Sequence, residues 1–171
     1  MILSPDFDVS GLADSKKLSS ARREEQRRRI EDSNSLWAIG IVGHDIVDSI
    51  NILNASLMAM RIAVENLTKR PDMVYVDGIF KIPDISIRQE TIIRGEDCQP
   101  AIAAASIIAK TYRDDIMIDL GLNYPGYGFG RHKGYPTREH IEKLNRLGPS
   151  PVHRRSFQPV RRLLADGIHV N

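Results

Sequence analysis

Residues 101–120, AIAAASIIAKTYRDDIMIDL, form the stretch that most restricts the folds open to this chain. Pro100 opens it, where a helix start loses nothing from the missing N–H. The run that follows is long enough for more than five turns. Its alanines are small, so the helix can lie very close to a sheet or a second helix. Short apolar runs bounded by turn residues surround it, as expected of strands. Residues 36–42 (LWAIGIV), between Asn34 and Gly43, are expected to be a buried strand, and residues 73–76 another that ends on Asp77-Gly78. Residues 85–93 are expected to form a further β pair, with Ile85, Ile87, Ile92 and Ile93 divided by polar positions.

Helix signals alternate with these runs. Ser19 and Ser20 precede ARREEQRRRI, a cap ahead of strong helix formers. Leu53, Leu57, Met60, Val64 and Leu67 recur at helical spacing and give residues 52–67 one apolar face. Residues 124–135 (YPGYGFGRHKGY) read as an ordered loop of glycines and aromatics. Thr137 caps TREHIEKLNRL, which Gly148 and Pro149 terminate, and residues 157–165 make a last short helix. Together these elements predict an α/β protein, a mixed sheet flanked by helices.

A chain of 171 residues suits one domain, 1–171, whose part 137–171 is helical. With 42% hydrophobic and 27% charged residues it has the composition of a folded globular protein. The single cysteine, Cys98, excludes an internal disulfide framework and points to a reducing, cytoplasmic compartment. No uninterrupted apolar run approaches the length of a membrane span, roughly 20 residues. The start, MILSPDFD, has no basic region or long apolar stretch. No membrane association is therefore expected. The net charge is +2, but residues 131–162 hold nine Lys or Arg against two acids. That imbalance suits either a surface for a polyanion or the solvated side of a helical segment.

Two acids stand where strands end. Asp77 follows an apolar strand and precedes a glycine. That position faces the crevice in which sheets flanked by helices hold ligands, or else makes an ordinary Asp-Gly turn. Glu96 follows the run IIRG in the same manner, with Asp97 as its neighbour and competitor. Two carboxylates so placed can share a hard divalent cation. Asp114 is accounted for by helical pairing with Lys110. The five histidines have no HExxH-like ligand spacing, and neither GxxxxGK[ST] nor GxSxG occurs. Lys133, Gly134 and Tyr135 combine a cation, a close-approach glycine and an aromatic face. That set suits a nucleic-acid backbone or a loop packed on the core. His153, Arg154 and Arg155 suit contact with phosphates or simply a face toward water.

Six segments, in order, resemble ribonuclease HII: GLADSKKLS (11–19), INILNASLMAM (50–60), YVDG (75–78), AAASIIAKTYRD (103–114), YGFGRHKGYPT (127–137) and VHRRSFQPV (152–160). The resemblance implies a ribonuclease H-like fold with a helical C-terminal part and a place in DNA replication and repair. It implies an endonuclease that cuts the RNA strand of RNA–DNA hybrids, and cuts 5′ to single ribonucleotides in duplex DNA, by two-metal hydrolysis with Mg²⁺ or Mn²⁺. A monomer is expected, with those nucleic acids as partners. By motif, Asp77 is the third of the family's four metal-binding carboxylates. Glu96 stands in Arg94-Gly95-Glu96 where the family has Lys-Gly-Asp. Tyr135 matches the tyrosine that packs on the sugar at the RNA–DNA junction. Asp14, Ser15 and Lys16 match a loop near the substrate backbone, and His132, Lys133, Arg154 and Arg155 become expected phosphate neighbours.

The resemblance fails at the start of the chain. The family opens with a strand ending in Asp-Glu-x-Gly-Arg-Gly, whose acids are the first two metal ligands and whose loop recognises the ribose 2′-hydroxyl. Neither Asp-Glu followed by glycine nor Gly-Arg-Gly occurs in these 171 residues. The expectation is a domain lacking its N-terminal strand or strands, with residues 1–3 as the tail of the second. Two functions follow from it: an impaired two-metal nuclease, or a non-catalytic fragment that binds nucleic acid weakly.

Overall fold

Ser19, extended at φ −65° and ψ 161°, accepts the Arg22 N–H on its side chain and so opens helix α1, Ser20–Glu31. Helix α2 is His44–Glu65, strand β1 is Met73–Asp77 and strand β2 is Arg88–Ile92. A 3₁₀ turn, Gly95–Asp97, leads into helix α3, Pro100–Asn123. The single-turn helix α4 (Phe129–His132), α5 (Arg138–Leu147) and α6 (Gln158–Ala165) complete the chain. The computed structural model describes residues 1–12, 15 and 17–170. It divides into two compact units, residues 1–42 with 53–111, and residues 43–52 with the chain from Tyr112 onward.

In the first unit β1 and β2 pair in parallel, from Met73 opposite Arg88 to Asp77 opposite Ile92. The core is built by Ile30 of α1 and Ala104, Ile107 and Ile108 of α3, each at most 2% exposed. Ala104 is the small residue that lets α3 come close. Met1, Leu3, Phe7, Leu12, Leu18, Trp37 and Ile39 cover this cluster. Full burial of Ile30, Ile107 and Ile108 contributes roughly 1.5–3 kcal/mol each.

Two strand expectations are corrected. Residues 36–42 are not a strand: a single antiparallel bridge joins Leu36 to Ile2, through N–H···O bonds of 2.7 and 2.8 Å. The alternation of a strand does not run the length of the segment, since positions two apart would share a face. Trp37 and Ile39 face the core while Ile41 is 60% exposed. Beyond the bridge no ladder forms among the described residues. Residues 85–93 supply one strand, β2, rather than a pair, because its partner is the distant β1.

The helical expectations hold for α1, α3, α5 and α6. Residues 52–67 fall largely within α2, which starts earlier and is broken at Asn51, where φ is 67° and ψ is 166°. By length and composition α2 could cross a membrane, contrary to the expectation from uninterrupted runs. The break matters here. Residues 52–65 make a helix of only ~21 Å, against roughly 30 Å of hydrocarbon.

In the second unit Leu144, Val160 and Leu163 join α5 to α6, with Phe157 and Leu164 packed against them. Thr137 accepts the His140 N–H and caps α5. Tyr127 anchors the far end by donating its hydroxyl to the Gly148 carbonyl at 2.9 Å. The expected loop 124–135 encloses α4, whose backbone lies against the end of α3. A side chain on Gly121 would stand 2.9 Å from the Gly130 nitrogen.

Candidate functional site

One backbone bond ties the end of β1 to the turn that carries Glu96. Asp77 ends β1 and is exposed, and its Oδ1 accepts the Gly95 N–H at 2.8 Å. Gly95 opens the 3₁₀ turn that carries Glu96. The turn is entered through Arg94 in the left-handed region, at φ 57° and ψ 41°. A Cβ at 95 would stand 2.4 Å from Ile102 Cδ1, the end of a side chain that would have to shift, and 3.5 Å from Asp77 Oδ1.

Glu96 and Asp97 have different surroundings. Ser15, 2% exposed, donates its N–H (2.8 Å) and its hydroxyl (3.2 Å) to Glu96 Oε2. The Ser15 hydroxyl also meets that of Ser106 on α3 at 2.9 Å. Asp97 instead pairs with Lys17 at 2.6 Å and Arg94 at 2.9 Å. The Lys17 hydrogen bond and these two charges hold its carboxyl below the ordinary range against a desolvation cost. Glu96 is thus the acid fastened by Ser15, and Asp97 is held by cations.

A hard cation such as Mg²⁺ takes oxygen ligands and is commonly bound through one or two carboxylates with water completing its shell. Asp77 and Glu96 suit one such ion. Among the described residues no three His, Cys, Asp or Glu side chains gather where a metal could be held. The pair is therefore not a complete ligand set for two ions.

The second unit carries the basic and aromatic residues. Tyr135 is 54% exposed, and the Arg113 guanidinium lies 5.6 Å from its ring centroid, within the range of a cation–π contact. Arg113 also donates to the Lys133 carbonyl at 2.9 Å, while Lys133 Nζ donates to the Asp114 carbonyl at 3.0 Å. Arg154 and Arg155 lie in the loop before α6. The Arg155 and Ser156 N–H groups and the Ser156 hydroxyl all donate to Asp48. Desolvation of Asp48 is outweighed by those bonds and by Arg154, which leave its carboxyl below the usual range.

Of the other expected residues, Asp14 and Lys16 lie outside the described residues, and Ser15 faces Glu96. His132 is buried, with Nε2 on the Tyr127 carbonyl at 2.9 Å and Nδ1 accepting the Gly134 N–H at 3.2 Å. Both of its nitrogens are engaged by backbone, which leaves neither for a phosphate. Arg113 is the residue that sequence reasoning misses. Its partners are 20 and 22 positions away, beyond any local pattern.

A sheet-and-helix chain with acids at a strand end and an exposed cationic and aromatic loop has the makings of a nucleic-acid hydrolase. The model of the family Ribonuclease HII matches residues 4–160. Ribonuclease HII of Desulforamulus reducens is 45% identical over 163 residues, covering 95% of this chain and 82% of that protein. The crystal structure of the ribonuclease H2 from Pyrococcus horikoshii OT3 superposes with a TM-score of 0.71 at 20% identity, over 93% of this chain and 82% of that one. The chain belongs to the ribonuclease HII family, whose members are hydrolytic endoribonucleases of the ribonuclease H type, and it has the ribonuclease H2 fold.

Proposed function

We propose that this protein is a divalent-metal-dependent endonuclease for the RNA strand of RNA–DNA hybrids and for single ribonucleotides in duplex DNA, cut on their 5′ side. The observation that carries this reading is the hydrogen bond from Gly95 to Asp77. It fastens the end of β1 to the turn bearing Glu96, which supports reading Asp77 and Glu96 as parts of one site. Asp77 and Glu96 would hold Mg²⁺ or Mn²⁺ there, with Ser15 fixing the direction of Glu96. When bound, the metal supplies charge for a developing phosphate transition state and an activated water. Tyr135 offers a ring to the sugar at the RNA–DNA junction, and Lys133, Arg154 and Arg155 offer charge to phosphates. The cytoplasm is the compartment we assign.

Two carboxylates are half of the number the family's chemistry uses. We therefore expect the 171-residue polypeptide to bind such duplexes and to cleave them slowly or not at all. The lack of a third metal-ligating side chain among the described residues favours this over full activity. It also supports the second reading, a chain that binds without catalysis.

The test uses an end-labelled DNA duplex with one ribonucleotide, assayed with Mg²⁺ and with Mn²⁺, beside Mn²⁺ broadening of backbone NMR signals. Little cleavage is expected, with Mn²⁺ broadening the amides of residues 77–78 and 95–97 in the parent and not in Asp77→Asn. Rapid cleavage abolished by Asp77→Asn would overturn the expected impairment and retain the nuclease assignment. Broadening that is unchanged in Asp77→Asn would overturn the metal site itself.

A further inference from the structure

Three histidines of the second unit are buried together, and the family's hydrolytic chemistry does not use them. His132, His140 and His153 are 6%, 2% and 7% exposed. The rings of His132 and His140 stack with centroids 4.0 Å apart and planes 13° apart. His140 Nε2 lies 3.2 Å from His153 Nε2. Tyr127 and Phe129 close around them, with Phe129 set edge-on to His132 and His140.

The backbone fixes where every proton sits. His140 Nδ1 lies 2.9 Å from the Tyr135 carbonyl. A carbonyl can only accept, so Nδ1 carries a hydrogen, and in the neutral ring Nε2 is then bare. Ser150 donates its N–H to His153 Nδ1 at 3.0 Å. That nitrogen is therefore bare, and the His153 hydrogen is on Nε2. The Ser150 hydroxyl, 2.7 Å away, then donates to the same Nδ1. His153 Nε2–H consequently points at the bare Nε2 of His140. A directed chain results, from Ser150 through His153 and His140 to the carbonyl of Tyr135, and it closes only if both rings are neutral. A second proton on His153 would set an N–H against the Ser150 N–H, and one on His140 would set two N–H groups against each other.

The surroundings favour neutral rings. Burial above all, with the neighbouring His140, His132 and His44, pushes His153 down to about 4 against a raising effect of the Ser150 backbone. Burial above all, with His132 and Lys143, lowers His140 against the raising effect of its bond to Tyr135. Glu139, the residue before His140, is held by Lys143 at 2.6 Å and by Arg131. The chain of hydrogen bonds ends on Tyr135, whose ring is exposed and covered by the Arg113 guanidinium. Thr137 N–H donates to the same carbonyl at 2.8 Å, so Tyr135 is pinned by two donors.

We propose that Ser150, His153 and His140 form a neutral imidazole relay that positions Tyr135 for its contact with the RNA–DNA junction. His140 and His153 are thus positioning residues for substrate recognition, with no contact to the nucleic acid themselves. The proposal rests on the substrate role given to Tyr135 above.

The experiment measures binding of the full chain to a fluorescein-labelled DNA duplex with one ribonucleotide, by anisotropy at pH 7.5. Tyr135→Ala, His140→Leu, His140→Asn and the double variant Tyr135→Ala/His140→Leu are compared with the parent. His140→Leu should weaken binding about three- to ten-fold, the worth of one net hydrogen bond. His140→Asn, whose amide nitrogen can replace Nδ1, should restore most of that loss. In the Tyr135→Ala background His140→Leu should add nothing, because the positioned ring is gone. Effects that multiply in the double variant would overturn the relay and leave the role of Tyr135 standing. An ineffective Tyr135→Ala would instead overturn the substrate role.

Imidazole nitrogen NMR of the parent decides the geometry even where a variant fails to fold. Neutral Nε2–H His153 and neutral Nδ1–H His140 at pH 7 are expected. The opposite tautomer, or a charged ring, at either position overturns the relay. A pH titration of parent binding adds a readout that simple packing would not move. Affinity should fall as the imidazole signals report protonation, and binding that is unaffected by that protonation also overturns it.

Discussion

Gly95 shows how much a single missing side chain can organise. Its N–H reaches Asp77 because no Cβ holds the turn away from Ile102, and the next residue is the acid that Ser15 fastens. Gly95→Ala should therefore cost about 1–3 kcal/mol, the range for overfilling a packed position. It should also weaken Mn²⁺ binding at residues 77 and 96. Urea unfolding and Mn²⁺ broadening measure the two effects separately, and a variant unchanged in both would refute the role given to this glycine. Asp77 is legible in the sequence because a carboxylate directly after an apolar strand is a local pattern. The choice between Glu96 and Asp97 is not, since it is made by Ser15 and Lys17, some 80 residues earlier. Basic surroundings in the sequence suggest His132 as a phosphate neighbour. Its burial depends on rings from α5 and the loop before α6, which no spacing rule reports.

At the level of elements, helices are the more legible because their signals are local. A cap such as Ser19 or Thr137 lies three residues from the N–H it accepts. Strands are less so. An apolar run becomes a strand only when a partner offers a ladder, and residues 36–42 find one bridge and then a helix. Gly40 sits against the backbone of α2, where a Cβ would stand 1.8 Å from the Ala59 carbonyl oxygen and 2.9 Å from the Ala63 nitrogen. Those are backbone atoms and cannot rotate aside. Gly40→Ala should accordingly destabilise by about 3 kcal/mol or more, at the upper end for overpacking. A urea midpoint within error of the parent, at equal slope, would show that this segment does not lie on α2.

For the whole molecule, the buried histidines set the response of stability to acid. In the unfolded chain His153 and His140 take up protons near the ordinary value of 6.5, whereas folding lowers both, His153 to about 4. As pH falls through 6.5 the unfolded state therefore binds more protons than the folded one, and stability declines with falling pH. The contribution of His153 is complete near pH 4, where the folded form also protonates. Asp8, Asp97 and Glu139 are lowered as well, so they add a loss below their ordinary values of 3.8, 3.8 and 4.5. Asp8, held chiefly by Ser10, and the ion-paired Asp97 and Glu139 are screened by solvent, and their share is small. The melting temperature should thus fall between about 6.5 and 4, and fall more gently below. His153→Gln, uncharged at every pH, should flatten the step between 6.5 and 4 whatever it does to stability at pH 7. A parent melting temperature constant from pH 7 to pH 5 would mean that the histidines are not held neutral by the fold. The protonation states assigned from their hydrogen bonds would then fail with it.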